Sequence, residues 1–374
     1  MNSLDDILHP LGLEAFQKAA RDCEPLHIPA SEGSTKRELL TWAAFNGLLA
    51  QTHIWDSEKL QLMHRETDVP PERYCRSRPS TQGMIWRPDP EMVELMLGAG
   101  ASILANDVLT LHPPIHRVGA ALGQAMGAHV GASVFCSFKG ARVLGTHYDV
   151  HDVFAVQTEG EKIWNFYEGR VDDPLDYPPG LTHADVERAR GPLAFTVTLR
   201  PGDVLYVPRG VYHDAVAVDA PSLHVSFTVK PLTGRALLGL VETMARDHPA
   251  FRAWLPPADG APEAFAEAVA GLAPVLAQIV ASPAFRDEAA RHQRRAIPRA
   301  PAFTLPERRA LSLYRVTGRP FPEGDASVHR LHDWMTVQKR FALEDMKVQF
   351  DGEAEGAVEV VVRAAEQAGA LQRL

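Results

Sequence analysis

Between residues 131 and 229 the chain is cut into short β-rich runs: ASVFCSF, DVFAVQT, KIWNFY, FTVTL, DVLYVP, YHDAVAV and LHVSFTV. Turn signals separate them at Gly140, Thr158-Glu159-Gly160, Pro201-Gly202-Asp203 and Pro208-Arg209-Gly210. Runs this short and this regularly punctuated pair as antiparallel strands, and many in succession close into a barrel or a sandwich, with jelly rolls and cupins among the choices. The flanks read differently. Residues 1–75 look helical, because LDDILHPLGLEAFQKAA and RELLTWAAFNGLLAQ repeat apolar residues at three- and four-residue intervals, with Ser34-Thr35 offered as N-cap of the second. A proline-rich stretch covers 70–90, and EMVELMLGAGASILANDV returns to helical spacing before His112-Pro113-Pro114. Helical character resumes in RALLGLVETMARDHPAFRAWL and continues to about Arg295. Residues 291–306 read as a basic, proline-bearing linker. A small C-terminal unit follows, with a helix-like segment at 328–341 and a short β-like run at 358–362.

Composition narrows the function classes. At ~150 residues per domain, a chain of 374 residues suggests two or three units, or one large domain with additions. With 45% hydrophobic and 23% charged residues, wholesale disorder is excluded. A net charge of −9 argues against nucleic-acid binding through a uniformly basic surface but leaves local contact open. Cys23, Cys75 and Cys136 stand far apart, so a disulfide scaffold, a CxxC redox motif and a thiolate zinc finger are all disfavoured. The acidic N-terminus does not read as a signal peptide, and no run of ~18 apolar residues is read anywhere in the chain. The expectation is a soluble, cytoplasmic protein without membrane contact.

The chemistry concentrates in GTHYDVHD. If His147 and Asp149 lie in a strand, they share a face while Tyr148 points away. His213 enters 64 positions after Asp149, where PGDVLYVPRGVYH sets it at the mouth of the next strand. Two imidazoles and one carboxylate leave metal positions open, as non-haem Fe(II) oxygenases require. HxD pairs also arise by chance, and many buried histidines only satisfy a hydrogen bond. Lys162 shares a face with Trp164 and Phe166 in KIWNFY, and a lysine carried inside with them needs an anionic partner. An acidic co-substrate is one such partner; a snorkelling or rim lysine is the alternative. In LHVSFTV, His224, Ser226 and Thr228 alternate with Val225, Phe227 and Val229, so the polar face either lines a pocket or meets water, with His224 leaning to the pocket.

GTHYDVHDVFAVQTEGEKIW, LRPGDVLYVPRGVYHDAV and SLHVSFTV together resemble the JmjC/cupin-type Fe(II)/2-oxoglutarate-dependent oxygenases, in particular their bacterial ribosomal-oxygenase-like branch. The resemblance implies that His147, Asp149 and His213 bind Fe(II). It also implies that Lys162, fifteen positions beyond the first ligand, grips the distal carboxylate of 2-oxoglutarate, with His224 as a further co-substrate residue. Some relatives carry a threonine three residues before the first ligand; here it is Leu144.

The implied fold is α+β: a double-stranded β-helix (jelly-roll/cupin) core with N-terminal helices, C-terminal dimerisation helices and a small winged-helix-like unit. The implied domains are a catalytic domain at 1–235, a helical domain at 236–297 that forms a homodimer, and a winged-helix-like domain at 298–374. The implied activity is hydroxylation of a protein or peptide side chain, from a ribosomal protein or a precursor peptide. A small-molecule oxygenase and a non-redox metal-binding cupin are the alternatives.

Other features have plainer readings. His151 reads as a rim or substrate-contact residue and Asp152 as a turn residue. Tyr148, Trp164, Phe166 and Tyr167 read as packing, and His329 with His332 as a solvated helix face. Arg291, Arg294, Arg295, Arg299, Arg308 and Arg309 read as an exposed basic run.

Overall fold

The computed structural model describes residues 1–374 apart from 2, 82, 139–142, 219–220 and 300–310. The chain forms two compact units, the first spanning Met1–Pro231 and the second beginning at Leu232.

The N-terminal helices α1 (Leu4–Leu8) and α2 (Gly12–Asp22) bury Ile7, Leu8, Phe16 and Ala19. A short strand β1 (Leu26–Ile28) follows, then α3 (Trp42–Leu49). The side chain of Thr41 caps α3 by accepting from the Ala44 amide at 3.2 Å, whereas Thr35 precedes only a 3-10 turn and makes no side-chain cap. The helical expectation for 1–75 holds for α1, α2 and α3, is interrupted by β1, and fails beyond Leu49. Strand β2 (Leu60–His64) buries Leu60 and Leu62, two apart, which is strand spacing. It leads to β3 (Thr67–Asp68) and to a hairpin of β4 (Cys75–Ser80) and β5 (Gly83–Pro88). EMVELMLGAGASILANDV is helical only over α4 (Pro90–Gly98), after which β6 (Ser102–Ala105) begins past Gly100. Helix α5 (Pro113–Met126) completes the flank.

The β-rich region forms β7 (Ala128–Ser137), β8 (Asp152–Glu159), β9 (Lys162–Arg170), β10 (Leu193–Leu199), β11 (Val204–Val207), β12 (Val211–Ala217) and β13 (Ser222–Pro231), with α6 (His183–Ala189) between β9 and β10. All pairings are antiparallel. One sheet has the order β1-β11-β8-β13-β7-β6-β2-β3 and the other β10-β9-β12. Val153 and Ala155 of β8 pack with Trp164, Phe166 and Leu199 of the smaller sheet, so the two sheets face each other. Their neighbours Phe154 and Val156 turn to the opposite side and pack with Ile7, Phe16 and Phe45 of the helices. Both faces of β8 are therefore covered, which explains its unbroken apolar reading. The same alternation sends Val225, Phe227 and Val229 of β13 to the helical side.

In the second unit, helices α7 (Leu238–Ala245), α8 (Pro249–Arg252), α9 (Pro262–Ala270), α10 (Leu272–Ala281) and α11 (Pro283–Ala296) come first. Residues Pro262–Ala281 are together long and apolar enough to cross a membrane, with mean hydropathy 1.7 and none of that stretch buried. The expectation that the chain has no such segment is thus not met. Helix α11 also overturns the linker expected from 291: Arg291 pairs with Glu288, the Arg294 side chain donates to the Gly352 carbonyl at 3.1 Å, and Arg295 lies 3.5 Å from Asp351. Arg308 and Arg309 lie outside the described residues.

The C-terminal part has strands β14 (Leu313–Val316), β15 (Arg340–Ala342) and β16 (Leu371–Arg373) in the order β15-β14-β16, with helices α12 (Ala326–Gln338), α13 (Leu343–Gln349) and α14 (Ala357–Gln367). The β-like run at 358–362 is helical. Val358, Val361, Val362 and Ala365 are the buried residues of α14, a helical stripe that overrides the strand preference of valine. His332 is buried and stacks on Phe321 with centroids 4.5 Å apart, so only His329 faces solvent.

Gly210 closes the turn between β11 and β12 at φ +82, its amide donating to the Asp149 carbonyl at 2.8 Å and its carbonyl accepting from the Val171 amide at 2.9 Å. A Cβ there would lie 1.9 Å from the Val171 carbonyl oxygen. Gly210→Ala is expected to lower the urea-unfolding free energy by at least about 2 kcal/mol, from left-handed strain and overpacking together. A loss below about 0.5 kcal/mol, the ordinary scatter of a harmless substitution, would show that this turn is not the close contact described.

Candidate metal centre

His147 and Asp149 reach the sandwich interior from a segment that is not a strand. His147 forms an isolated antiparallel bridge with His213, its amide donating to the His213 carbonyl at 3.0 Å and its carbonyl accepting from the His213 amide at 2.8 Å. The expected alternation survives locally. Tyr148 is buried on the far side with Tyr212, ring centroids 5.2 Å apart, while its two neighbours turn inward.

One donor atom each from His147, Asp149 and His213 lie within 4.8 Å of one another. The Nε2 of His213 is 3.7 Å from Asp149 Oδ2, too far for a hydrogen bond, so the two groups face a shared space rather than each other. Each ring's other nitrogen is engaged. His147 Nδ1 lies 2.8 Å from the Gly145 carbonyl and His213 Nδ1 lies 2.9 Å from the Val211 carbonyl. A carbonyl only accepts, so both Nδ1 atoms carry a proton, and in a neutral imidazole this leaves Nε2 with the bare lone pair. Burial, then the neighbouring His147, pushes His213 down to about 4, so its imidazole stays neutral at physiological pH. Two neutral imidazoles and a carboxylate with open positions suit a divalent metal of the Fe(II) kind.

These residues line a cavity of about 160 Å³ that also includes Lys162, Trp164, His224, Ser226 and Thr228. Lys162 is only 1% exposed, and its Nζ donates to the Ser137 hydroxyl at 3.3 Å. Among the described residues no carboxylate pairs with it. Cys136 cannot stand in, since burial pushes its thiol up to about 12. His224, 2% exposed, stacks on Phe135 with centroids 4.8 Å apart and planes 3° from parallel. Burial and then Lys162 hold it well below the usual histidine range. The Nδ1 of His224 and the Nε1 of Trp164 are buried without a partner. A buried ammonium and three unmatched ring nitrogens, with His151 Nδ1 as the third, line one cavity and fit a ligand rich in oxygen acceptors.

Sequence reasoning placed Trp164 among packing residues, and its indole nitrogen gave no signal. Ser226 and Thr228, left between pocket and solvent, line the cavity. Leu144 lines it also, and His151 joins it with Nε2 3.9 Å from Asp149 Oδ1. Asp152 is not a turn residue: it opens β8 and accepts from the Tyr206 hydroxyl at 3.1 Å and the Arg209 amide at 3.0 Å.

Residues 111–237 match the JmjC domain family. This part of the chain is a JmjC domain. Its cupin core is the set of facing antiparallel sheets described above, within a mixed α+β chain. The chain is 32% identical over 174 residues to the bifunctional lysine-specific demethylase and histidyl-hydroxylase NO66 of Dictyostelium discoideum, covering 45% of this chain and 34% of that protein. It is 36% identical over 138 residues to ribosomal oxygenase 2 of Bos taurus, covering 35% of this chain and 29% of that protein. The chain thus spans about a third of the length of these curated relatives. The X-ray structure of E. coli ycfD shares the fold at a TM-score of 0.51 and 15% identity, covering 94% of this chain and 95% of that one. The matched stretch holds all five expected site residues and strands β7 to β13.

Burial holds the Lys162 ammonium down to about 7. In the unfolded chain it titrates at about 10.4, so between the two values the unfolded state binds more protons and stability rises with pH. Lys162→Met is expected to remove that rise. The wild-type minus variant unfolding free energy should shift by a few kcal/mol between about pH 7 and pH 10 in urea titrations. A pH-independent difference would mean that the amine is hydrated.

Proposed function

We propose that the protein is an Fe(II)- and 2-oxoglutarate-dependent dioxygenase that hydroxylates a protein side chain, with a ribosomal protein as the preferred substrate class. The observation that carries this reading is the grouping of two imidazoles and a carboxylate with a buried lysine in one cavity. His147, Asp149 and His213 would hold Fe(II). Lys162 would take the distal carboxylate of 2-oxoglutarate, with His224 and Trp164 offering ring nitrogens to its oxygens. Fe(II) with 2-oxoglutarate and O2 supplies the oxidising power for inserting one oxygen atom into a C–H bond, releasing succinate and CO2. The chain itself binds, orients and excludes water: Phe135, Val153 and Ala215 give the cavity apolar walls.

A peptide is favoured over a small molecule by the segment between β9 and α6. It exposes Leu175, Tyr177 and Leu181, and the Tyr177 hydroxyl donates to the carbonyl of Tyr148, between the two N-terminal ligands, at 3.1 Å. The names of the relatives, ribosomal oxygenase and histidyl-hydroxylase, support a ribosomal target.

Purified protein with Fe(II), ascorbate and ribosomal-protein peptides is expected to turn 2-oxoglutarate into succinate and to add one oxygen atom to a peptide by mass spectrometry. His147→Ala and Asp149→Ala should abolish the 2-oxoglutarate charge-transfer band, and Lys162→Ala should weaken 2-oxoglutarate binding at least tenfold. Native protein that binds metal yet shows neither the band nor succinate would leave a non-redox cupin.

The helical domain at 236–297 forms a homodimer in this reading, and the domain at 298–374 is winged-helix-like. No residue of α9 or α10 is buried, and Leu238, Trp254, Leu255 and Val280 are exposed, which leaves apolar surface for a second copy. Light scattering should give twice the 41.0 kDa chain mass. Leu238→Glu with Val280→Glu should return a monomer; a native monomer would refute this interface.

A further inference from the structure

Next to the three clustered donors lies a buried carboxylate that the proposed chemistry leaves without a task. Asp214 follows His213 on β12 and is 1% exposed. By strand alternation it points to the face opposite His213, away from the cavity. Its Oδ1 accepts from Asn165 Nδ2 at 2.8 Å, and its Oδ2 accepts from the Tyr167 hydroxyl at 2.5 Å and the Thr146 hydroxyl at 3.1 Å. Asn165 and Tyr167 belong to β9, the partner strand of β12, whereas Thr146 immediately precedes His147 on the segment that has no strand of its own. One side chain therefore ties together the strand carrying His213, its neighbour, and the segment carrying His147.

Burying a carboxylate is costly without donors, and here Asn165, Tyr167 and Thr146 are among those that meet it. Burial and Asp214 both raise the Tyr167 hydroxyl, which stays a donor, and the Arg190 guanidinium sits 4.2 Å from the Tyr167 ring centroid. An apolar residue of equal size would fill the space but would exert no directional hold on Thr146.

We propose that Asp214 is a positioning residue that sets the separation of His147 from His213 through Thr146, and so governs how tightly the three-donor site holds a divalent cation. The inference rests on the metal-site reading above. Its test is a Co(II) titration of the full-length protein, followed by visible absorption, beside thermal melts of the metal-free protein. Thr146→Val and Asp214→Asn should each weaken Co(II) binding at least tenfold, in the range of 10–100-fold known for partners that orient metal ligands. Their metal-free melting temperatures should stay within about 4 °C of the native protein, a shift that corresponds to roughly 1–2 kcal/mol. Thr146→Ser, which keeps the hydroxyl, should restore native affinity. Unchanged Co(II) affinity in both variants overturns the proposal, and so does a loss that merely tracks lowered metal-free stability. Native protein that binds no Co(II), or His147→Ala that binds it as well as native, removes the metal site itself and this inference with it.

Discussion

The site depends on two backbone hydrogen bonds between His147 and His213. They are the bridge by which a segment without a strand of its own is registered against β12. Since side chains of a directly bonded antiparallel pair leave the backbone on the same face, the bridge brings both imidazoles to one side of the sandwich. The contact between Asp149 and the Gly210 amide extends that register by one more anchor. Neither ring is free to turn, because each is held through Nδ1 by a carbonyl two residues away. The donors are thus arranged before any ligand arrives, and little ordering remains to be done on binding.

Much of this was legible in the residues. The spacing of His147 and Asp149, the Pro/Gly turn before His213 and the alternation of LHVSFTV each translate into geometry through the period of two. That period was read correctly even though 147–149 is not in a strand, since one bridge suffices to impose the alternation. Two regions were illegible for opposite reasons. At 358–362 the valines announce a strand by propensity, but their spacing with Ala365 places them on one helix face, and tertiary packing decides. At 60–64 the apolar residues fit either period over so short a window, and only pairing with β6 selects the strand. The Asp214 cluster was invisible because its members lie far apart in the chain: Thr146, Asn165, Tyr167 and Asp214 meet only when the smaller sheet forms.

The same sandwich explains why a lysine can be held inside. Lys162 occupies the inward register of β9 with Trp164 and Phe166, so the strand cannot bury its aromatics without burying the amine. An outward lysine would have required a one-residue slip that exposes Trp164 and Phe166. The apolar drive of those rings thus offsets the desolvation of a charge that has no carboxylate partner among the described residues.

Charge arithmetic then constrains what the cavity accepts. His213 and His224 are neutral, as burial keeps both low. With a divalent cation on the three donors, Asp149 leaves one positive charge uncompensated and the Lys162 ammonium adds a second. A dianion restores neutrality in a low-dielectric space where unbalanced charge is expensive. A monoanion leaves one charge bare, and a neutral ligand leaves two. The two cationic centres also differ in kind: a metal takes a chelating pair of oxygens, whereas an ammonium takes a single carboxylate through point-charge hydrogen bonds. A dicarboxylate that chelates at one end and is charged at the other would satisfy both at once, and its distal carboxylate would raise the pKa of Lys162 from about 7.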